Sequence, residues 1–254
     1  MFDAAVLNGK RILITGGGTG LGKEMAVGLA AHGAHVYICG RRKEILDHAA
    51  QEILARSGGQ ATALLANVRD PDSIEALMTS IWEEGPLTGL VNNAAANFLA
   101  PTESLSPRGY EAVRSTVMDG SFYASLACGK RWIAAGLPGV IISNLVTWVW
   151  TGSAYVVPAA MAKAAVHAMT MSLAVEWGPK GIRVNAIAPG FFQSEMTAEL
   201  VEDERSRRWF ERMCPMGRPG RPEELDGILL FLASDASSYC TGQVFAIYGG
   251  WTIR

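Results

Sequence analysis

Lys163 is preceded by Pro158-Ala159-Ala160-Met161-Ala162, and before that by an apolar run from Gly139 to Val146 that reads as a buried strand. Pro158 suits the first turn of a helix, so the ammonium rides on a helix beside that strand. A lysine so placed can hold a polar ligand and lower the pKa of a neighbouring hydroxyl, which is what protonating a nascent alkoxide requires. Only the residues three and four positions earlier share its turn, and these are Ala160 and Ala159. Tyr155 is eight residues away, ~12 Å along any continuous helix, and precedes Pro158, which leaves it a role in lining a pocket.

The second chemical feature is Thr15 to Gly22, TGGGTGLG, between the first apolar run and the first helical stretch. Backbone N–H groups and the helix dipole can receive a pyrophosphate there. Gly16, Gly20 and Gly22 set the spacing, with Thr19 and Leu21 between them. Gly17 to Lys23 also fits the GxxxxGK core of a phosphate loop, but the next residue is Glu24 rather than a metal-holding hydroxyl, and its carboxylate would repel phosphate. After the second apolar run comes Cys39-Gly40-Arg41-Arg42, two guanidiniums with no acid. Arg41 and Arg42 can grip a ribose phosphate by forked hydrogen bonds, which selects NADP(H) over NAD(H).

The elements that must position these groups alternate regularly. Candidate strands are Arg11 to Thr15, His35 to Cys39, Ala61 to Ala66, Leu90 to Asn92, Val140 to Leu145, Arg183 to Ile187 and Gln243 to Ile247. Candidate helices are Leu21 to Gly33, Lys43 to Ser57, Pro71 to Glu84, Pro107 to Ala135, Pro158 to Trp177 and Pro222 to Ser234. This order predicts an α/β fold, a doubly wound parallel sheet of about seven strands with helices on both faces, because parallel strands need long crossovers. One domain, 1–254, is expected. Ser194 to Met213 interrupts the rhythm and reads either as a flap over a substrate or as a solvated surface helix. Within it, Arg205, Arg207, Arg208 and Arg212 could meet acyl-CoA phosphates, although Asp203, Glu204 and Glu211 dilute them. Trp209, Phe210, Met213 and Met216 form either an acyl-binding wall or ordinary core.

Bulk composition narrows the classes. A chain of 254 residues, 49% hydrophobic and with net charge -2, has no global field for a polyanion, so neither nucleic acid nor an anionic membrane is an expected partner. The longest apolar runs are broken before the ~18 residues of a membrane span. Four scattered cysteines without a CxxC pair fit reduced thiols and a cytoplasmic setting. The four histidines show no metal spacing, and no metal is expected.

These features together resemble the short-chain dehydrogenase/reductase family. The glycine turn is that family's variant; Asn67-Val68 occupies the place of its Asp-Val pair against adenine; Asn92-Asn93-Ala94-Ala95 resembles its NNAG turn; Pro189-Gly190 with Ser194 resembles its PGxxxT segment on the nicotinamide amide. The resemblance implies a Rossmann fold, a homotetramer or homodimer, and the dinucleotide held by the glycine turn, Asn67, Val68, Asn93, Ala94, Lys163, Pro189, Gly190 and Ser194. The family's usual tyrosine and serine positions hold Ala159 and Val146.

Asn97 to Pro107 and Thr151 to Ala164 are similar to the 2,4-dienoyl-CoA reductase branch, which uses a tyrosine fifteen residues before the lysine and an asparagine in the long central helix. Here these are Trp148 and Asp119. The resemblance implies hydride transfer to an activated alkene, an enoyl or dienoyl thioester, with Lys163, Asp119 and Trp148 at the reacting centre and Phe98, Trp148 and Tyr155 against the substrate. The proton would come from water or through Asp119 and Lys163. The alternative is an NADP(H)-binding protein without turnover, serving sensing or assembly.

Overall fold

The computed structural model describes residues 2–193 and 204–253. Seven strands form one sheet: β1 (Arg11–Thr15), β2 (His35–Gly40), β3 (Gln60–Leu65), β4 (Gly89–Asn92), β5 (Gly139–Asn144), β6 (Ile182–Pro189) and β7 (Val244–Ile247). Their order is β3-β2-β1-β4-β5-β6-β7, and every pairing is parallel. Each crossover is carried by helix, and the direction of winding reverses between β1 and β4. Ligands of such sheets lie in the crevice outside the strands' carboxyl ends at that switch.

The helices are α1 (Gly20–Ala30), α2 (Lys43–Ser57), α3 (Pro71–Glu84), α4 (Pro107–Arg114), α5 (Gly120–Ala135), the single turn α6 (Trp148–Thr151), α7 (Val157–Trp177), α8 (Glu204–Met213) and α9 (Asp226–Ala233). Local chemistry sets their ends. Asp70 caps α3 through Asp72 N at 3.0 Å, Ser106 caps α4 through Gly109 N at 3.1 Å, and Gly58 closes α2 in the left-handed region. Apolar side chains of β1, β2, α1, α2 and α9 fill one side of the sheet, while those of α3 and α5 fill the other.

Two expected helices are built differently. Pro107 to Ala135 is interrupted by a π-helical turn, Ser115–Asp119, between α4 and α5. Ser115 Oγ donates to Glu111 O at 2.6 Å, Thr116 Oγ1 to Ala112 O at 2.8 Å and Ser121 Oγ to Val117 O at 2.6 Å. Such back-bonding competes with the regular helical ladder and favours a widened turn. The stretch from Pro222 starts as 3₁₀ helix, Pro222–Leu225, before α9.

Candidate active site

A cleft of about 560 Å³ runs over the carboxyl ends of β1, β2, β4, β5 and β6. The glycine turn forms its floor at the switch point. Gly16 has φ +66, and a Cβ there would stand 2.9 Å from Ala94 Cα, so glycine is required where two backbones meet. Gly22 faces Asn93 so closely that a Cβ would overlap its amide. Gly20, at φ +54, opens onto free space at the start of α1. The fit to a dinucleotide diphosphate is therefore geometric as well as compositional: bare backbone at a helix N-terminus, with nothing filling the cradle.

The phosphate-loop alternative does not survive. Lys23 points away from the cleft, 2.8 Å from Glu52, and Glu24 binds Arg56 at 2.6 Å. At the end of β2, Arg41 and Arg42 line the cleft, exposed, and neither makes an ion pair among the described residues. Asn67 and Val68 line it beside them. Asn67 spends its Oδ1 on Arg69 N at 3.3 Å.

Lys163 sits at the opposite end, 7% exposed. Its Nζ donates to the backbone oxygen of Asn144, and burial away from water pushes its pKa down to about 8. Asn144 Nδ2 in turn donates to Asn93 Oδ1 at 2.9 Å, and Asn93 Nδ2 to Thr15 O at 3.1 Å and Gly16 O at 3.2 Å. Thr15 Oγ1 accepts from the N–H groups of Asn93 and Ala94, both at 3.0 Å. A continuous chain of hydrogen bonds thus links the lysine to the glycine turn. Pro189, Gly190 and Ala94 complete this part of the cleft; Ser194 lies outside the described residues.

Around the lysine the wall is Leu145, Val146, Thr147 and Trp148, with Ala159 buried behind. Trp148 lines the cleft where the sequence placed it. Asp119 does not: both its oxygens face Arg114, at 3.0 and 2.8 Å, and among the described residues it forms no ion pair with Lys163, so the expected relay has no direct link. Phe98 and Tyr155 also stay out of the cleft, 41% and 58% exposed; Tyr155 occupies a turn at φ +66 and Phe98 packs towards Gly109. Missed by sequence reasoning were Thr147, whose hydroxyl has no protein partner among the described residues, Thr116 on the π turn, and the aromatic side chains of Phe191 and Trp251. Thr147 adjoins the position that holds Val146, so a search one residue further along for the missing hydroxyl finds it.

A family model described as enoyl-(acyl carrier protein) reductase matches residues 16–252. A probable 2,4-dienoyl-CoA reductase of Bacillus subtilis is 41% identical over 95% of this chain and 96% of its own. Gluconate 5-dehydrogenase of Gluconobacter oxydans is 35% identical over 99% and 98%. The crystal structure of a gluconate 5-dehydrogenase from Burkholderia cenocepacia in complex with NADP and tartrate superimposes with a TM-score of 0.91 at 32% identity, covering 99% and 98%. The chain belongs to the short-chain dehydrogenase/reductase family and is an oxidoreductase of that family.

Proposed function

We propose that this protein transfers hydride from NADPH to the conjugated double bond of an enoyl or dienoyl thioester. The observation that carries the reading is the wall around Lys163, where Val146, Trp148 and Ala159 supply no acidic hydroxyl. Reducing a ketone creates an alkoxide that needs a proton from a positioned acid. Reducing a conjugated thioester instead sends the charge to the thioester oxygen as an enolate, which needs hydrogen-bond donors, while carbon takes its proton from water. Lys163 and Thr147 are the two donors at hand, and preorganised donors at a developing oxyanion are a large part of catalysis.

The cofactor supplies the hydride. Arg41 and Arg42 would hold the ribose phosphate, the glycine turn would hold the diphosphate, and Lys163 would orient the nicotinamide ribose. The absence of an acid at the end of β2 supports NADP(H) over NAD(H). The relatives divide between a dienoyl-CoA reductase and a sugar-acid dehydrogenase, and the missing hydroxyls favour the former as the model for chemistry. Outward-facing Met161, Met171 and Val175 on α7 and Phe122 on α5 support assembly into a homodimer or homotetramer through these helices. No helix among the described residues is long and apolar enough to cross a membrane; a cytoplasmic setting is part of the proposal.

The test is consumption of NADPH with a dienoyl-CoA, an enoyl-CoA and a simple ketone. Turnover of the thioesters alone is expected. Turnover of the ketone alone overturns the reading, and tight NADPH binding with no turnover of any of the three favours a binding protein without activity, a role that Ala159 and Val146 also allow.

A further inference from the structure

Beyond the cleft lies a second cavity of about 100 Å³, and the two share Phe191, Phe192 and Trp251. Phe191 follows Pro189-Gly190 directly, so the shared wall begins where the nicotinamide end of the cleft stops. The wall is a packed set of rings. Trp209 meets Trp251 at 4.5 Å and Phe210 at 5.2 Å, while Phe191 meets Phe210 at 5.4 Å, Trp251 at 5.7 Å and Trp209 at 5.9 Å. Behind it, Phe210, Cys214, Met216 and Ile247 complete an apolar lining.

Among the described residues, the charged neighbours of the cavity cancel. Arg218 clasps Glu224 through two bonds of 2.7 and 2.8 Å, and that guanidinium together with the Arg221 N–H holds the carboxyl down to about 2. The described lining at this end is mainly apolar and suits an apolar ligand. The space is smaller than the ~150 Å³ apolar cavity that accepts benzene. It is therefore sized for a few carbons rather than for an extended fatty chain, and is tighter than a cavity known to admit a ring.

We infer that this second cavity is the tail subsite for the substrate, and that it restricts the protein to short, straight, unsaturated acyl groups. The inference rests on the enoyl-thioester reading above. The dinucleotide takes the long cleft, the reacting double bond lies between Lys163 and Trp148, and the distal carbons pass the rings of Phe191 and Trp251 into the cavity. The rings flatten the entrance, which suits a chain whose carbons are held planar by conjugation.

The experiment measures kcat/KM for NADPH oxidation across 2-enoyl-CoA thioesters from about four to about sixteen carbons, and with cinnamoyl-CoA. The value is expected to rise about fourfold per added methylene, the transfer free energy of one CH₂, until the cavity is full, then fall for longer chains and for the phenyl analogue. Cys214→Met narrows the cavity from within and Met216→Trp from its outer side. Either is expected to shift the optimum to shorter chains and cut the ratio of medium-chain to four-carbon kcat/KM by about fifteenfold, the cost of roughly two excluded methylenes. A flat profile, or one that both variants leave in place, overturns the subsite while leaving the thioester reading intact. If no thioester is reduced, that reading fails instead, and quenching of Trp209 and Trp251 fluorescence by the same thioesters with NADP⁺ present decides the subsite. A short-chain preference that Cys214→Met shifts to still shorter chains supports it; quenching indifferent to chain length overturns it.

Discussion

Replacing Lys163 by Met should change how stability depends on pH. The ammonium is buried against the Asn144 carbonyl with no carboxylate paired to it among the described residues, and burial lowers its pKa from 10.5 to about 8. Between those values the unfolded chain holds a proton that the folded chain has released, so the parent protein gains stability as pH rises through the window. At 1.36 kcal/mol per pH unit, the gain is on the order of 3 kcal/mol. Methionine has no proton to lose, although it leaves the Asn144 carbonyl without its donor, a cost of about 1–3 kcal/mol that does not vary with pH. The difference in stability, variant minus parent, should therefore fall by about 3 kcal/mol from pH 8 to pH 10.5, whatever its starting sign. For a chain of this length that is a relative shift in Tm of roughly 6–12 °C. Thermal melts of both proteins without cofactor, at matched ionic strength, give the comparison. Parallel Tm curves through that window would refute the argument, because they would mean the lysine titrates as it does in water.

Removing both guanidiniums (Arg41→Ala with Arg42→Ala) should weaken NADPH binding by on the order of 10- to 100-fold, at 1.5–3 kcal/mol for a charge-assisted bond, and leave NADH almost untouched; equal losses measured by calorimetry would remove these residues from the phosphate site. Trp148→Tyr places a phenol on the cleft wall and should raise dienoyl-CoA reduction by about tenfold or more, since a positioned acid contributes about 10²–10⁴; an unchanged rate in stopped-flow assays would count against this wall as the protonation face. Val175→Asp with Met171→Asp should dissociate the assembly to monomers by light scattering, and an unaltered mass would move the interface off α7. Asp119→Asn should leave kcat for thioester reduction within about twofold while lowering Tm by a few degrees, as expected for a partly exposed partner of Arg114 rather than a proton carrier; a kcat loss of 100-fold would restore the relay.

The sheet was legible because most of its inner strands are short apolar runs rich in Val, Ile and Leu and largely buried, and each strand is found within a residue or two of its expected bounds. The glycine turn and the guanidinium pair were legible for a similar reason: their chemistry lies in contiguous residues. Asp119 was not, because its position came from a resemblance, and in the structure it lies on a π turn where Arg114 takes both its oxygens. Hydroxyl back-bonding from Ser115, Thr116 and Ser121 leaves no periodic mark. Tyr155 and Phe98 are neighbours of the site in sequence, but one sits on a turn and the other on an irregular stretch, and both stay exposed. Trp251 presents the opposite case: it reaches the cleft only through the fold, by way of β7 and the chain beyond it.

The amide of Asn93 has a further consequence. Its nitrogen end serves two carbonyls of the glycine turn and its oxygen end serves Asn144, so rotating it by half a turn would set acceptor against acceptor at one side and donor against donor at the other. One orientation alone is tolerated, and it ties the shape of the anion cradle to the seat of the lysine before any ligand arrives. On the proposed reading, a dinucleotide would meet both ends of its berth already tied together, with little left to order on arrival. A cofactor fragment carrying only the diphosphate half would meet the same cradle as the whole.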